Sequence, residues 1–215
     1  MATQVVRKSL KDQIKTILIE RIVTGRLQPG DRIKELQVAR ELGTSQAPVR
    51  EAIRCLETLG YVDHTPHVGA MVKSFDRREV EEAYQVREAV EVYALTRLGH
   101  SRDKLLAVLS TCLEEMEKGI AEREFQRFTA ADNLFHRTIV EASGNQTMIR
   151  VWDSLKIQVQ VVATVVEAAM PLDVIYRMHP PIIEALRGEA DDRAAHLLAD
   201  HYQTIGTFWR QRSDD

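Results

Sequence analysis

The chain has 215 residues, 44% of them hydrophobic and 28% charged, with a net charge of -3, a balance that fits one large or two modest water-soluble domains. No window offers the roughly 18 uncharged apolar residues of a membrane span, and the N-terminus reaches Arg7 and Lys8 without an apolar run, so neither a membrane helix nor a signal peptide is expected. Cys55 and Cys112 are isolated from each other, which argues against a disulfide framework or a zinc finger and fits reduced thiols in a cytoplasmic protein.

The charge is uneven. Through Ser74 there are 12 Lys and Arg against 8 Asp and Glu, and beyond it 17 against 24. A basic first third on an acidic body points to a polyanion met by the first third alone. In that region Leu10, Ile14, Ile17, Leu18 and Ile22 follow helical spacing up to Thr24-Gly25. Leu27-Gln28-Pro29-Gly30 makes a turn, and a short helix with Leu36, Val38, Ala39 and Leu42 runs to Gly43. Thr44-Ser45 offers a cap for a third helix with Pro48 in its first turn and an apolar stripe of Val49, Ile53, Leu56 and Leu59. Tyr61–His64 and Ala70–Val72 read as two short strands. Helix, helix, turn, helix and hairpin is the order of a winged helix-turn-helix, placed at residues 1–74.

From Asp76 onward strand signals nearly vanish. Helices are expected at Asp76–Leu98, Arg102–Glu122, Glu124–Ala142, Asn145–Ala169, His179–Arg187 and Asp191–Arg210, an antiparallel bundle over residues 75–215. The fold class is therefore mostly α, a winged helix-turn-helix followed by about six bundle helices.

The stretch G-T-S-Q-A-P-V-R-E-A-I has the chemistry of a recognition helix. Ser45, Gln46 and Arg50 sit at its N-terminal end, away from the apolar stripe. Amide groups and Ser45 there can take phosphate oxygens, and Gln46 and Arg50 can make paired hydrogen bonds to adenine or guanine edges. The bland alternative is an ordinary amphipathic helix with a solvated face.

The segment PGDRIKELQVARELGTSQAPVREAI, Pro29 to Ile53, resembles the DNA-binding domain of GntR-family transcription regulators. The resemblance implies operator contacts at Ser45, Gln46 and Arg50, and a wing tip around His67 and Gly69 that reaches the minor groove or backbone. Two departures, Gln46 and Val68, each stand where the family often has arginine, so both remove positive charge.

Asp132 and His136 stand four residues apart and share a helix face. His179, before Pro180-Pro181, and His201, beside Leu197, Leu198 and Ile205, can complete a set of three imidazoles and one carboxylate. That set suits zinc first, and also nickel, manganese or iron. The alternative for Asp132 is a plain ion pair with Arg127 or Arg137. The region from about Glu79 to Trp209 resembles the helical FCD effector domain of the FadR branch of the family. This likeness implies that the same four residues hold a divalent transition metal and that a small carboxylate binds beside it. Arg87 is then a candidate effector anchor; its other reading is a structural salt bridge with Glu91 or another acid.

No H-E-x-x-H, activated nucleophile or Gly-rich phosphate cradle is present. The expectation is a metal-containing, ligand-responsive regulator. It would act as a repressor that binds a pseudo-palindromic duplex operator as a homodimer. Two rivals remain: a metal-dependent hydrolase or lyase carrying a DNA-binding domain, and a plain DNA-binding protein whose cavity holds no effector.

Overall fold

The computed structural model describes residues 9–65, 67–74, 76–98, 102–155 and 170–211. The chain folds as two compact units, Met1–Ser74 and Phe75–Asp215.

In the first unit α1 spans Leu10–Val23, capped by Ser9, whose hydroxyl accepts from the Asp12 amide at 3.2 Å. Its buried face is Ile14, Leu18, Ile19 and Ile22, while Leu10 stays exposed. Three expected positions, Ile14, Leu18 and Ile22, are buried and Ile19 joins them, while the expected Ile17 is only half-buried. The helix stops at Thr24, followed by Gly25 at φ +70, a left-handed conformation that suits glycine. Next come α2 (Glu35–Glu41) and α3 (Gln46–Thr58), and α3 buries Val49, Ala52, Ile53 and Leu56 against α1 and α2. Strands β1 (Val62–Thr65) and β2 (Gly69–Val72) pair antiparallel, with Val62 opposite Val72 and Thr65 opposite Gly69. The segment before α2 extends this wing: Ile33 N–H donates to Ala70 O and Val72 N–H to Asp31 O, each at 2.8 Å.

The described residues of the second unit are helical. They form α4 (Arg77–Leu95), α5 (Arg102–Ala121), α6 (Phe125–Ala142), α7 (Gln146–Ser154), α8 (Leu172–Arg177), α9 (Pro180–Arg187) and α10 (Asp191–Gln211). Asp76 caps α4 by accepting from the Arg78 and Glu79 amides, and Asn145 caps α7 in the same way through Thr147 and Met148. Of the helix expected at Asn145–Ala169, the described part is α7; residues 156–169 lie outside the described ones. Helix α8 is not among the expected ones, because six residues between Pro171 and Met178 hold under two turns of periodicity.

The unit's core joins Leu109 and Met116 of α5, Phe128, Phe135 and Ile139 of α6, Ile182 and Leu186 of α9, and Leu198 of α10. Helices α5 and α6 pack most extensively, α4 lies against α6 and α10, and α9 against α10. Gly119 permits the close approach of α5 to α6. A β-carbon there would stand 2.8 Å from the Phe128 backbone nitrogen, inside van der Waals contact. Ala favours a helix over Gly by about 1 kcal/mol. Against this, overpacking costs about 1–3 kcal/mol, and more where the obstacle is backbone that cannot rotate away. Gly119→Ala is therefore expected to destabilise the helical unit by a net ~1–2 kcal/mol, lowering its thermal midpoint by about 2–4 °C per kcal/mol as followed by circular dichroism.

Candidate metal centre and nucleic-acid interface

The four side chains singled out in the helical unit come together in its interior. Asp132 and His136 project from one face of α6, His179 caps α9, and His201 projects from α10. Their exposures are 2%, 0%, 0% and 2%. Pro180 and Pro181 occupy the first positions of α9, where an amide hydrogen is not required, so they leave His179 in place at the helix entrance.

Hydrogen bonds define which imidazole nitrogens face inward. His179 Nδ1 lies 2.9 Å from Ile175 O, a carbonyl that only accepts, so Nδ1 carries the proton. His136 Nδ1 lies 2.6 Å from Glu91 Oε2 and also donates. In the neutral tautomers both Nε2 atoms are then bare lone pairs, and they face each other at 3.2 Å. Asp132 Oδ1 stands 3.3 Å from His179 Nε2 and 3.9 Å from His136 Nε2 and has no hydrogen-bond donor among the described residues. His201 adds a third imidazole, and one ligand nitrogen from each of the three histidines lies within 4.8 Å of the others. Buried polar atoms that converge need a shared partner. A proton would serve two of these atoms, whereas a metal ion would serve all four. Two nitrogens bound at 2.0–2.1 Å to a tetrahedral ion stand about 3.4 Å apart, close to the spacing found.

The electrostatics agree. Burial, reinforced by His179, His136 and Arg87, holds His201 well below the ordinary histidine range, which favours the neutral imidazole, and its buried Nδ1 has no partner among the described residues. Burial would raise the Asp132 carboxyl, but interaction with His179 and the fields of His136 and Arg87 overcome it and hold it below its usual value. The plain alternative for Asp132 fails: Arg127 pairs with Glu115 and Glu122, and Arg137 with Asp153 and Glu141.

Glu91 is the residue the sequence undervalued, being read only as an alternative partner for Arg87. Its Oε1 accepts from Trp152 Nε1 at 2.7 Å and from Arg87 Nε at 3.3 Å, while Oε2 holds His136. Burial would raise this carboxyl, yet His136, Arg87 and the two hydrogen bonds bring it down to about 2. A carboxylate behind a ligating histidine fixes the ring's orientation and its basicity. Arg87 itself is 1% exposed and surrounded by Tyr84, Trp152 and Tyr202, with ring centroids 5.2–5.9 Å from its guanidinium carbon. The salt bridge with Glu91 is formed and leaves Arg87 Nη2 without a partner among the described residues. No signal in the sequence pairs Glu91 with Trp152, since 61 positions separate them.

In the winged unit Ser45, Gln46 and Arg50 are exposed at the start of α3, and Ser45 makes no capping hydrogen bond with its own helix. Arg50 is clamped by Glu35 of α2, with Nη2 to Oε2 at 2.8 Å and Nε to both carboxylate oxygens at 3.1 Å. His67 is exposed at the wing tip with φ +64, and Gly69 opens β2 at φ +102. Pro66 between the strands lies outside the described residues.

Removing Glu91 would leave the Arg87 cation buried without its counter-charge. Glu91→Leu is expected to cost the helical unit about 3–5 kcal/mol, read from urea unfolding followed by the near-UV signal of its tryptophans.

Comparison with known proteins places these geometries in a family. The model of bacterial regulatory proteins of the gntR family matches residues 10–72, and that of the FCD domain matches residues 82–204. A probable D-xylose utilization operon transcriptional repressor from Paenarthrobacter nicotinovorans is 34% identical over 91% of this chain and 86% of its own. A solved structure described as a GntR transcriptional regulator from Rhodococcus sp. RHA1 superposes with a TM-score of 0.67 at 18% identity, over 94% of this chain and 97% of that one. A structure described as the metal-free FCD domain of a transcriptional regulator has a TM-score of 0.53 at 19% identity, over 64% of this chain and 96% of its own. Family and relatives are transcriptional regulators, which sets aside the hydrolase or lyase. The chain belongs to the GntR family of bacterial regulatory proteins, with an FCD domain after its helix-turn-helix.

Proposed function

We propose that this regulator is a repressor that binds a pseudo-palindromic operator as a homodimer and senses a small carboxylate at a divalent metal held by Asp132, His136, His179 and His201. The observation that supports the metal is the convergence of His136 Nε2, His179 Nε2 and Asp132 Oδ1 in the buried interior, at 3.2, 3.3 and 3.9 Å from one another. Three neutral nitrogens and one carboxylate suit zinc first, with nickel, manganese or iron as alternatives. Such an ion would supply a Lewis-acidic position for an anionic oxygen. A solved FCD domain described as metal-free supports treating these domains as metal carriers.

The chain's own residues account for ligand choice. Arg87 Nη2 has no partner among the described residues, and a fixed guanidinium is matched by a carboxylate. All ligands and Arg87 are at most 2% exposed, which favours a small effector. Glu91 would couple the two, since the carboxylate that orients His136 also holds Arg87.

For DNA, Ser45, Gln46 and Arg50 are read as the major-groove contacts and His67 and Gly69 as the wing contacts. Repression is supported by the relative described as an operon repressor. On α4, Val86 and Tyr93 are 41% and 49% exposed and seven residues apart, an apolar stripe on which a second copy can pack. Response to the effector requires that it bind one arrangement of the paired DNA-binding units more tightly than another.

Elemental analysis tests the metal directly. About one transition metal per chain is expected in the purified wild type, and loss in both Asp132→Ala and His179→Ala. A folded wild type that stays metal-free after incubation with zinc, nickel and manganese would overturn the site. Arg50→Ala is expected to weaken binding to a duplex selected by the wild type by about 1–3 kcal/mol while leaving metal content unchanged, checked by fluorescence anisotropy.

A further inference from the structure

The winged unit carries a cation that the recognition helix does not account for. Arg32 lies in the extended segment before α2, and its backbone forms an antiparallel bridge with Met71 of β2. The flanking bonds, Ile33 N–H to Ala70 O and Val72 N–H to Asp31 O, fix this segment as a third, partial strand of the wing. The register brings the Arg32 side chain to the wing's glycine. Nε and Nη2 each stand 3.8 Å from the point where a Gly69 β-carbon would be. Arg32, Lys34, Arg50, Arg54, His64 and Gly69 line one groove between α2, α3 and the wing.

The cations of this groove differ in how they are committed. Arg50 is clamped by Glu35, and Arg54 pairs with Glu51 at 3.1 Å. Arg32 is exposed and has no acid partner among the described residues. Beyond it, the described tip offers His67 and the apolar Val68, 36% exposed, and no Lys or Arg. An exposed guanidinium held by a bridged backbone, flanked by a glycine without a side chain to screen it, is well placed to receive a phosphate oxygen.

We propose that Arg32 contacts the DNA backbone at the base of the wing, taking one phosphate beside Gly69 and supplying the fixed positive charge that the tip lacks. The ligand is the phosphate of a duplex, because the groove is continuous with the start of α2 and the exposed face of α3 and belongs to a family of DNA-binding regulators. The inference rests on DNA binding by this unit and not on the metal, nor on Arg50 as a base reader. Binding of the selected duplex by the wild type checks that foundation separately.

The test is the salt dependence of binding by the full-length protein to a duplex selected from a random pool by the wild type. Arg32→Gln is expected to weaken binding several-fold at low salt, and to flatten the slope of log affinity against log salt by about 0.9 for each phosphate contact removed. Arg32→Lys keeps the charge and is expected to keep the slope. A purely structural role would lower the affinity and the thermal midpoint while leaving the slope at its wild-type value. A wild-type slope in Arg32→Gln therefore overturns the proposal, whatever happens to the affinity. If Arg32→Gln does not fold, Arg32→Met, which keeps a side chain of similar length without the charge, gives the same reading.

Discussion

Three helices meet at the carboxylate of Glu91. The arginine one turn earlier on α4, the Trp152 indole of α7 and the His136 imidazole of α6 all bond to its two oxygens. An ion pair removed from water costs several kcal/mol per charge unless its hydrogen-bonding capacity is filled. That requirement constrains the spacing of the three helices more tightly than apolar contact does, because apolar side chains tolerate small slides and charge-assisted hydrogen bonds do not. It also fixes which nitrogen of His136 faces the interior. The convergence of acceptors on the other side of that ring follows from this choice together with the Ile175 carbonyl behind His179.

The winged unit solves a different problem. Its polar groups must stay available to an external partner while the backbone beneath them is held still. Helically spaced apolar positions on α1 and α3 bury one face of each, and the extra pairing of residues 31–33 with β2 broadens a two-stranded hairpin that would be marginal alone. The backbone is thus satisfied internally, which leaves exposed side chains of the groove such as Arg32 and Lys34 outside the core.

Much of this was legible in the sequence. Periodicity, Ser45 before Pro48, and Gly25 and Gly43 at helix ends placed most elements within a few residues, since each is a local signal with a local cause. The four side chains that gather in the helical unit's interior were also legible: Asp132 and His136 by helical spacing, His179 and His201 by their positions together with the family resemblance. What stayed hidden depends on partners far apart in the chain. Glu91 was visible as a neighbour of Arg87, but its bonds to His136 and Trp152 reach 45 and 61 positions away. The β-bridge of Arg32 likewise has no composition or period to announce it. Helix α8 fell below the length at which a period can be counted.

The clamp of Arg50 by Glu35 has a consequence for selectivity. For an α3 that uses Arg50 on a base edge, the guanidinium enters the groove either accompanied by a carboxylate or after letting it go. Near the duplex's phosphates that carboxylate is repelled, and the penalty applies on every sequence alike. Compensation comes only where a base offers paired acceptors in place of Glu35. In that case a pair that looks like a brace on the free protein would set a threshold, holding random duplex weakly while a matching site stood out against it.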